Sequence, residues 1–117
     1  MKYETDSVED ADIVLVAYGT IGRVAKNAMI KARAEGLKVG LVRPITLWPF
    51  PAKAINDIAS TAKAFISVEM SMGQMVEDVR LAVNGKAPVY FTGRTGGIIP
   101  QPTEILEKIK EVAGGIK

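Results

Sequence analysis

The sequence predicts an α/β fold, a three-layer, doubly wound and mostly parallel sheet of four to five strands with helices on both faces. Three observations predict it. Ile13 to Ala17 is an apolar run of mostly branched residues with no polar alternation, the signature of a strand covered on both faces. Gly19 and Gly22 break that run, and from Ile21 the apolar period changes to that of a helix. The strand–helix pattern then recurs, so that the two alternate four times along the chain.

The elements follow in order. Lys2 to Thr5 has the composition of a short edge strand. In the first helix, Ile21, Val24, Ala25, Ala28, Met29 and Ala32 form one stripe, and Gly36 is placed to end it. Lys38 to Val42 is the next strand. From Arg43 to Pro51 three prolines fall in nine residues, which reads as a stiff connection. Pro51 suits the first turn of a helix whose stripe is Ile55, Ile58, Ala59 and Ala62. Ala64 to Val68 is a third strand and Glu69 to Gly73 a turn, followed by a helix facing inward through Met75, Val76, Val79 and Val83. Asn84 and Gly85 stop it, and Pro88 to Phe91 is the last strand. After a second long loop, Gly93 to Pro102, Thr103 is placed to cap a final helix with Ile105, Leu106, Ile109 and Val112 inward and Gly114 and Gly115 at its end.

Composition narrows the chemistry. With 117 residues the chain is expected to be one domain, residues 1–117, whose first twelve residues form an acidic lead-in. An apolar fraction of 48% with 24% charged residues is that of an ordinary soluble domain, and no apolar run reaches the ~20 residues that span a bilayer. A cytoplasmic location and no membrane contact are expected. Cysteine and histidine are absent, which excludes thiolate nucleophiles, disulfides, cysteine-ligated clusters, histidine triads and typical zinc sites in this chain. The net charge of +2 predicts no nucleic-acid partner. It is unevenly spread: residues 1–12 set Lys2 against Glu4, Asp6, Glu9, Asp10 and Asp12, leaving about +6 on the remainder.

In a doubly wound sheet the loops after the strands share one edge, where ligands of such domains bind. That edge is expected to carry Gly19, Thr20, Gly22 and Arg23, then Arg43, then Glu69, and finally Arg94, Gly96 and Gly97. The glycine turn is either an anion cradle at a helix N-terminus or a plain tight turn, since it matches neither GxGxxG nor a P-loop. Arg43 and Arg94 either serve a ligand or pair with Glu69 or backbone carbonyls. Arg23 lies in the first turn of its helix, where a cation opposes the macrodipole and calls for compensation. Trp48 and Phe50, set between prolines, are a core plug or an interface anchor. Met70, Met72 and Met75 read as gap-filling or interface packing. Glu69 is an isolated carboxylate with no second acid or base near it in sequence, so no catalytic residue is expected here.

Four stretches, in this order, resemble one family. They are Asp10 to Thr20, the Val42 to Pro51 segment ValArgProIleThrLeuTrpProPhePro, the Glu69, Met70, Gly73 and Gln74 pattern, and Gly93 to Pro100 followed by a ThrGluIleLeu helix start. Together they resemble the C-terminal part of the alpha chain of 2-oxoacid:ferredoxin oxidoreductases, a transketolase C-terminal-like domain, over nearly the whole chain. Thr95 stands where proline is common in the family, and Ser71 where asparagine is common. The resemblance implies a five-stranded sheet with one antiparallel edge strand at Lys2 to Thr5. It also implies a part in the oxidative decarboxylation of a 2-oxoacid to an acyl-CoA with reduction of ferredoxin. Thiamine diphosphate, Mg²⁺ and iron–sulfur clusters belong to other domains of such a complex, so the isolated chain is expected to have no turnover. Its expected role is assembly, with sister domains or subunits and a homo-oligomer as partners, an interface at Trp48, Phe50, Glu69 and Met70, and coenzyme A phosphates at the arginine edge. The competing expectation is a free-standing α/β module that binds an anion or nucleotide.

Overall fold

Strand β2, Ile13–Ala17, is buried along its whole length and has a parallel neighbour on each side. In the computed structural model, which describes residues 3–45, 50–69, 75–93 and 100–115, the remaining strands are β1 (Tyr3–Asp6), β3 (Val39–Pro44), β4 (Ala64–Glu69) and β5 (Val89–Gly93). Their order is β1-β3-β2-β4-β5. Strands β2 to β5 run parallel, and β1 lies antiparallel on β3 with Glu4 opposite Arg43.

Strand alternation divides the core between the two faces. Ile13, Leu15 and Ala17 point with Val39, Leu41, Ile66 and Val68 toward α1 (Ile21–Ala34) and α4 (Pro102–Gly115). Val14, Val16, Val42 and Phe65 point the other way, toward α2 (Ala52–Ala59) and α3 (Val76–Val83). The three-layer arrangement expected from the apolar runs is therefore present, with the antiparallel edge strand one residue further along than expected.

Helix ends follow local chemistry. Gly36 at φ +87° closes the last turn of α1, and Asn84 at φ 53° with Gly85 at φ +78° closes α3. Two expected boundaries are corrected. Thr103 does not cap α4: Pro102 is its first residue, and Gln101 before it donates its backbone N–H to Glu104 Oε1 at 3.2 Å, half of a capping box. Gly114 and Gly115 lie inside the final turn of α4 rather than beyond it. Met75 is the residue before α3, and Ala62 lies past the end of α2 although it is buried as expected.

The acidic N-terminal stretch is stitched to the body rather than simply solvated. Glu4 pairs with Arg43 (3.2 Å), Asp6 with Lys26 (3.5 Å), Asp10 with Arg33 (2.8 Å) and Asp12 with Lys63 (3.8 Å). Arg33 in the last turn of α1 does most. Its Nε donates to the Val39 carbonyl (2.8 Å), and Nη2 donates both to the Ser7 carbonyl (2.9 Å) and to Asp10 Oδ1. This bond and the guanidinium charge hold the Asp10 carboxyl below the usual carboxylate range, and the carboxylate in turn raises Arg33.

Candidate functional site

Chain order places a topological switch between β2 and β4. The connection after β2 leads through α1 to β3 on one side, whereas that after β4 leads through α3 to β5 on the other. In open α/β sheets the crevice at the carboxyl ends of two such strands is the usual ligand position. Tyr18, Gly19 and Thr20 form one lip and Glu69 the other.

On the first lip, Gly19 takes φ +67°, a conformation open to glycine, and returns the chain into α1. Gly22 has a different reason to lack a side chain. A Cβ there would lie 2.5 Å from Arg43 Cδ and 2.6 Å from its Nε. Arg43 thus lies across the first turn of α1, donates from Nε to the Gly19 carbonyl (3.2 Å) and reaches Glu4 through Nη1. It braces the glycine turn against both β1 and β3. The expected loop from Arg43 onward begins later, because β3 runs on to Pro44. Its pairing with β2 reaches only Val42, so the missing N–H of Pro44 deprives β2 of nothing.

Arg43 does not meet Glu69, one of the two expected partners; it meets a backbone carbonyl, the other. Strand geometry explains the difference. Arg43 follows Leu41 on the face of α1 and α4, whereas Glu69 follows Phe65 and Ser67 on the face of α2 and α3. The sheet lies between them. A shared edge is not a shared face.

Glu69 is the last residue of β4, not the first of a turn, and is only 5% exposed. Its Oε2 accepts from Ser67 Oγ at 2.8 Å and its Oε1 accepts from the Met75 N–H at 2.6 Å. Ser67 is fully buried, and these two are the buried polar side chains among the described residues.

Arg23 is exposed, and the compensation expected for a first-turn cation is not met by an ion pair: among the described residues no carboxylate lies within ion-pair distance of it. It lines a groove of about 430 Å³ between β1 and α1, together with Lys26, Arg43, Glu4, Asp6 and Leu41. The groove holds three cations and two carboxylates, and both carboxylates are engaged by Lys26 and Arg43. Of the other expected residues, Phe50 is half-buried and packs against the core on the α2–α3 face of the sheet. Trp48, Met70, Met72, Arg94, Gly96 and Gly97 lie outside the described residues. The Arg33–Asp10 clamp was not anticipated; its one sequence signal is a basic residue in the last turn of a helix beside an acidic lead-in.

The donor set does not suit a metal or cluster. The sequence has no cysteine or histidine, and among the described residues no group of three acidic side chains stands close enough to hold a cation. Among the same residues no helix is long and apolar enough to cross a membrane.

Comparison with known proteins gives this site a context. The chain is 54% identical over 114 residues to the ketoisovalerate oxidoreductase subunit VorB of Methanothermobacter marburgensis, an alignment covering 97% of this chain and 32% of that subunit. It spans about a third of the length of this and a second curated VorB relative that it matches. Among solved structures, the 2-oxoglutarate:ferredoxin oxidoreductase from Magnetococcus marinus with 2-oxoglutarate, coenzyme A and succinyl-CoA bound superposes with a TM-score of 0.81 at 31% identity, covering 95% of this chain and 19% of that one. A split-gene transketolase, solved as an inactive β4 tetramer, matches with a TM-score of 0.82 over 99% of this chain and 42% of its own. At 16% identity it shares the fold alone. The model of the pyruvate:ferredoxin oxidoreductase core domain II matches residues 11–105, from two residues before β2 into the first turn of α4, and the chain therefore belongs to that family.

Proposed function

We propose that this chain is the non-catalytic core-domain-II portion of a 2-oxoacid:ferredoxin oxidoreductase. That enzyme would oxidatively decarboxylate a 2-oxoacid to an acyl-CoA and pass electrons to ferredoxin. One observation carries the reading: the family match spans residues 11–105, while the chain makes up about a third of the relatives it resembles. The chemistry of the residues supports a non-catalytic role, because among the described residues the switch-point crevice offers no nucleophile–base pair and its carboxyl group, Glu69, is buried and engaged. Thiamine diphosphate, Mg²⁺ and the clusters are assigned to other domains. The chain contributes a rigid edge, contacts with sister domains at Trp48, Phe50 and Met70, and a place in a homo-oligomer, while the cluster-bearing parts of the complex pass electrons to ferredoxin.

The coenzyme A role belongs to the groove beside Gly19, Thr20, Gly22 and Arg23. Its support is the third cation: Arg23 faces a groove whose two carboxylates are already paired. Arg43 takes a supporting part, since its guanidinium is committed to Glu4 and the Gly19 carbonyl. Arg23→Ala in the assembled oxidoreductase is expected to raise KM for coenzyme A several-fold, the scale of one lost phosphate contact. An unchanged KM sinks the coenzyme A assignment while leaving the assembly role standing.

The assembly role is tested by capture from an extract of the source organism, with this chain as bait and bound proteins identified by mass spectrometry. Recovery of thiamine- and cluster-binding subunits is expected. Recovery of none, with the chain a clean monomer, would contradict the reading and favour a free-standing anion- or nucleotide-binding module.

A further inference from the structure

A carboxyl group is an expensive choice for a buried position at the end of a central strand. Leucine or methionine would fill the space without desolvating a charge-bearing group. Glu69 nevertheless occupies it, on the face toward α3, and both of its oxygens are used. Oε2 is held by Ser67, two residues back on the same face of β4, which fixes the rotation of the carboxyl plane. Oε1 then accepts the backbone N–H of Met75, the residue immediately before α3.

Among the described residues no other side chain accepts from that N–H. The position before α3 is methionine, which cannot cap a helix, and no side-chain cap is made there. Glu69 supplies from the end of the preceding strand what the third-position glutamate of a capping box would supply from within the helix. The difference matters mechanically. A local cap would hold the helix end to itself, whereas this one ties the start of α3 to the end of β4, six residues earlier. Beside it, Gly93 of β5 pairs with Glu69, and a Cβ there would run into the Glu69 carbonyl, so the strand end is hemmed in from its other side.

We infer that Glu69 is a positioning residue that sets one lip of the switch-point crevice, holding the start of α3 against the end of β4 through the Ser67–Glu69–Met75 chain. It touches no substrate and acts through the Met75 N–H. The inference rests on the oxidoreductase reading for its catalytic consequence, but not for its structural one.

The test therefore has two arms. In the 117-residue chain, Glu69→Ala is expected to speed amide exchange at Met75 about tenfold or more relative to β2 amides such as Leu15, while Glu69→Gln, which keeps an acceptor, changes it by less than about threefold. In the assembled oxidoreductase, Glu69→Ala is expected to raise KM for the 2-oxoacid or for coenzyme A about threefold or more with kcat kept within about twofold, and Glu69→Gln to restore it. If Glu69→Ala does not fold, Glu69→Asp, one methylene too short to reach Met75, takes its place with the same expectations. Unchanged exchange at Met75 overturns the clamp itself. Faster exchange with unchanged KM overturns the positioning role. If no sister subunits assemble with the wild-type chain, the oxidoreductase reading fails, and the exchange arm still decides the clamp.

Discussion

Gly22→Ala reverses sign according to what stands at position 43. The new methyl group would lie 2.5 Å from Arg43 Cδ and 2.6 Å from Nε, so the arginine has to leave the first turn of α1. It then gives up the 3.2 Å bond to the Gly19 carbonyl, a hydrogen bond from a charged donor worth about 1.5 kcal/mol at the low end of its range. The pair with Glu4, whose side chain is 63% exposed, adds only about 0.2–0.5 kcal/mol. Against this loss of about 2 kcal/mol, alanine in a helix is favoured over glycine by up to about 1 kcal/mol. The substitution is therefore expected to destabilise the wild-type chain by about 1 kcal/mol, lowering Tm by about 4 °C for a protein of this size. In an Arg43→Ala background the three atoms nearest the methyl group, all from the arginine side chain, are gone. Gly22→Ala should then stabilise by about 0.5–1 kcal/mol. Chemical denaturation of the four proteins gives the cycle directly. Destabilisation of the same size in both backgrounds would refute the account of why position 22 is glycine.

Other expectations follow from the same geometry. Asp10 has its folded pKa lowered by the Arg33 bond, so its contribution is present above the ordinary carboxylate range and is lost as pH falls through the lowered value. Asp10→Asn should lower the denaturation midpoint at pH 7, and the gap to wild type should close as pH falls below about 4; a gap that persists at pH 2 would contradict the clamp. Asn84 ends α3 in the left-handed region at φ 53°, so Asn84→Ala should cost about 1 kcal/mol in urea denaturation and Asn84→Gly nothing or less. Phe65, fully buried between β4 and the α2–α3 layer, should lose about 3–5 kcal/mol as alanine, enough to unfold much of the chain near 37 °C.

What the sequence made legible is what local chemistry determines. The span of β2 and the start of α1 were readable to the residue, because an unalternated apolar run meets glycine and then a 3.6-residue period. The buried faces of α1, α3 and α4 followed from the same period. Of the strand ends that ran past expectation, those of β3 and β4 did so for different reasons. Pro44 looked like a strand breaker, but it lies beyond the pairing with β2, where no N–H is required. Glu69 looked like the start of a turn because a charged residue seldom ends a buried strand; its two donors, Ser67 and Met75, make the burial tolerable.

The site was legible as an edge but not as two faces. Loops after parallel strands do share one edge, and Gly19, Arg43 and Glu69 are all there. Which face each side chain takes depends on register between strands, and register is a tertiary property. Ala17 pairs with Val68, so Glu69, one residue on, faces away from Arg43. The Arg33–Asp10 clamp spans 23 residues of sequence and is invisible to any local reading for the same reason.

The role proposed for this chain is that of a necessary but non-catalytic part of a 2-oxoacid:ferredoxin oxidoreductase. Its most direct test is 2-oxoacid- and coenzyme A-dependent reduction of ferredoxin, measured for the chain alone, for the sister subunits alone and for the two together. The account predicts no rate above background for either part and turnover on mixing. Turnover by the chain alone, or full turnover by the sister subunits without it, would contradict the account.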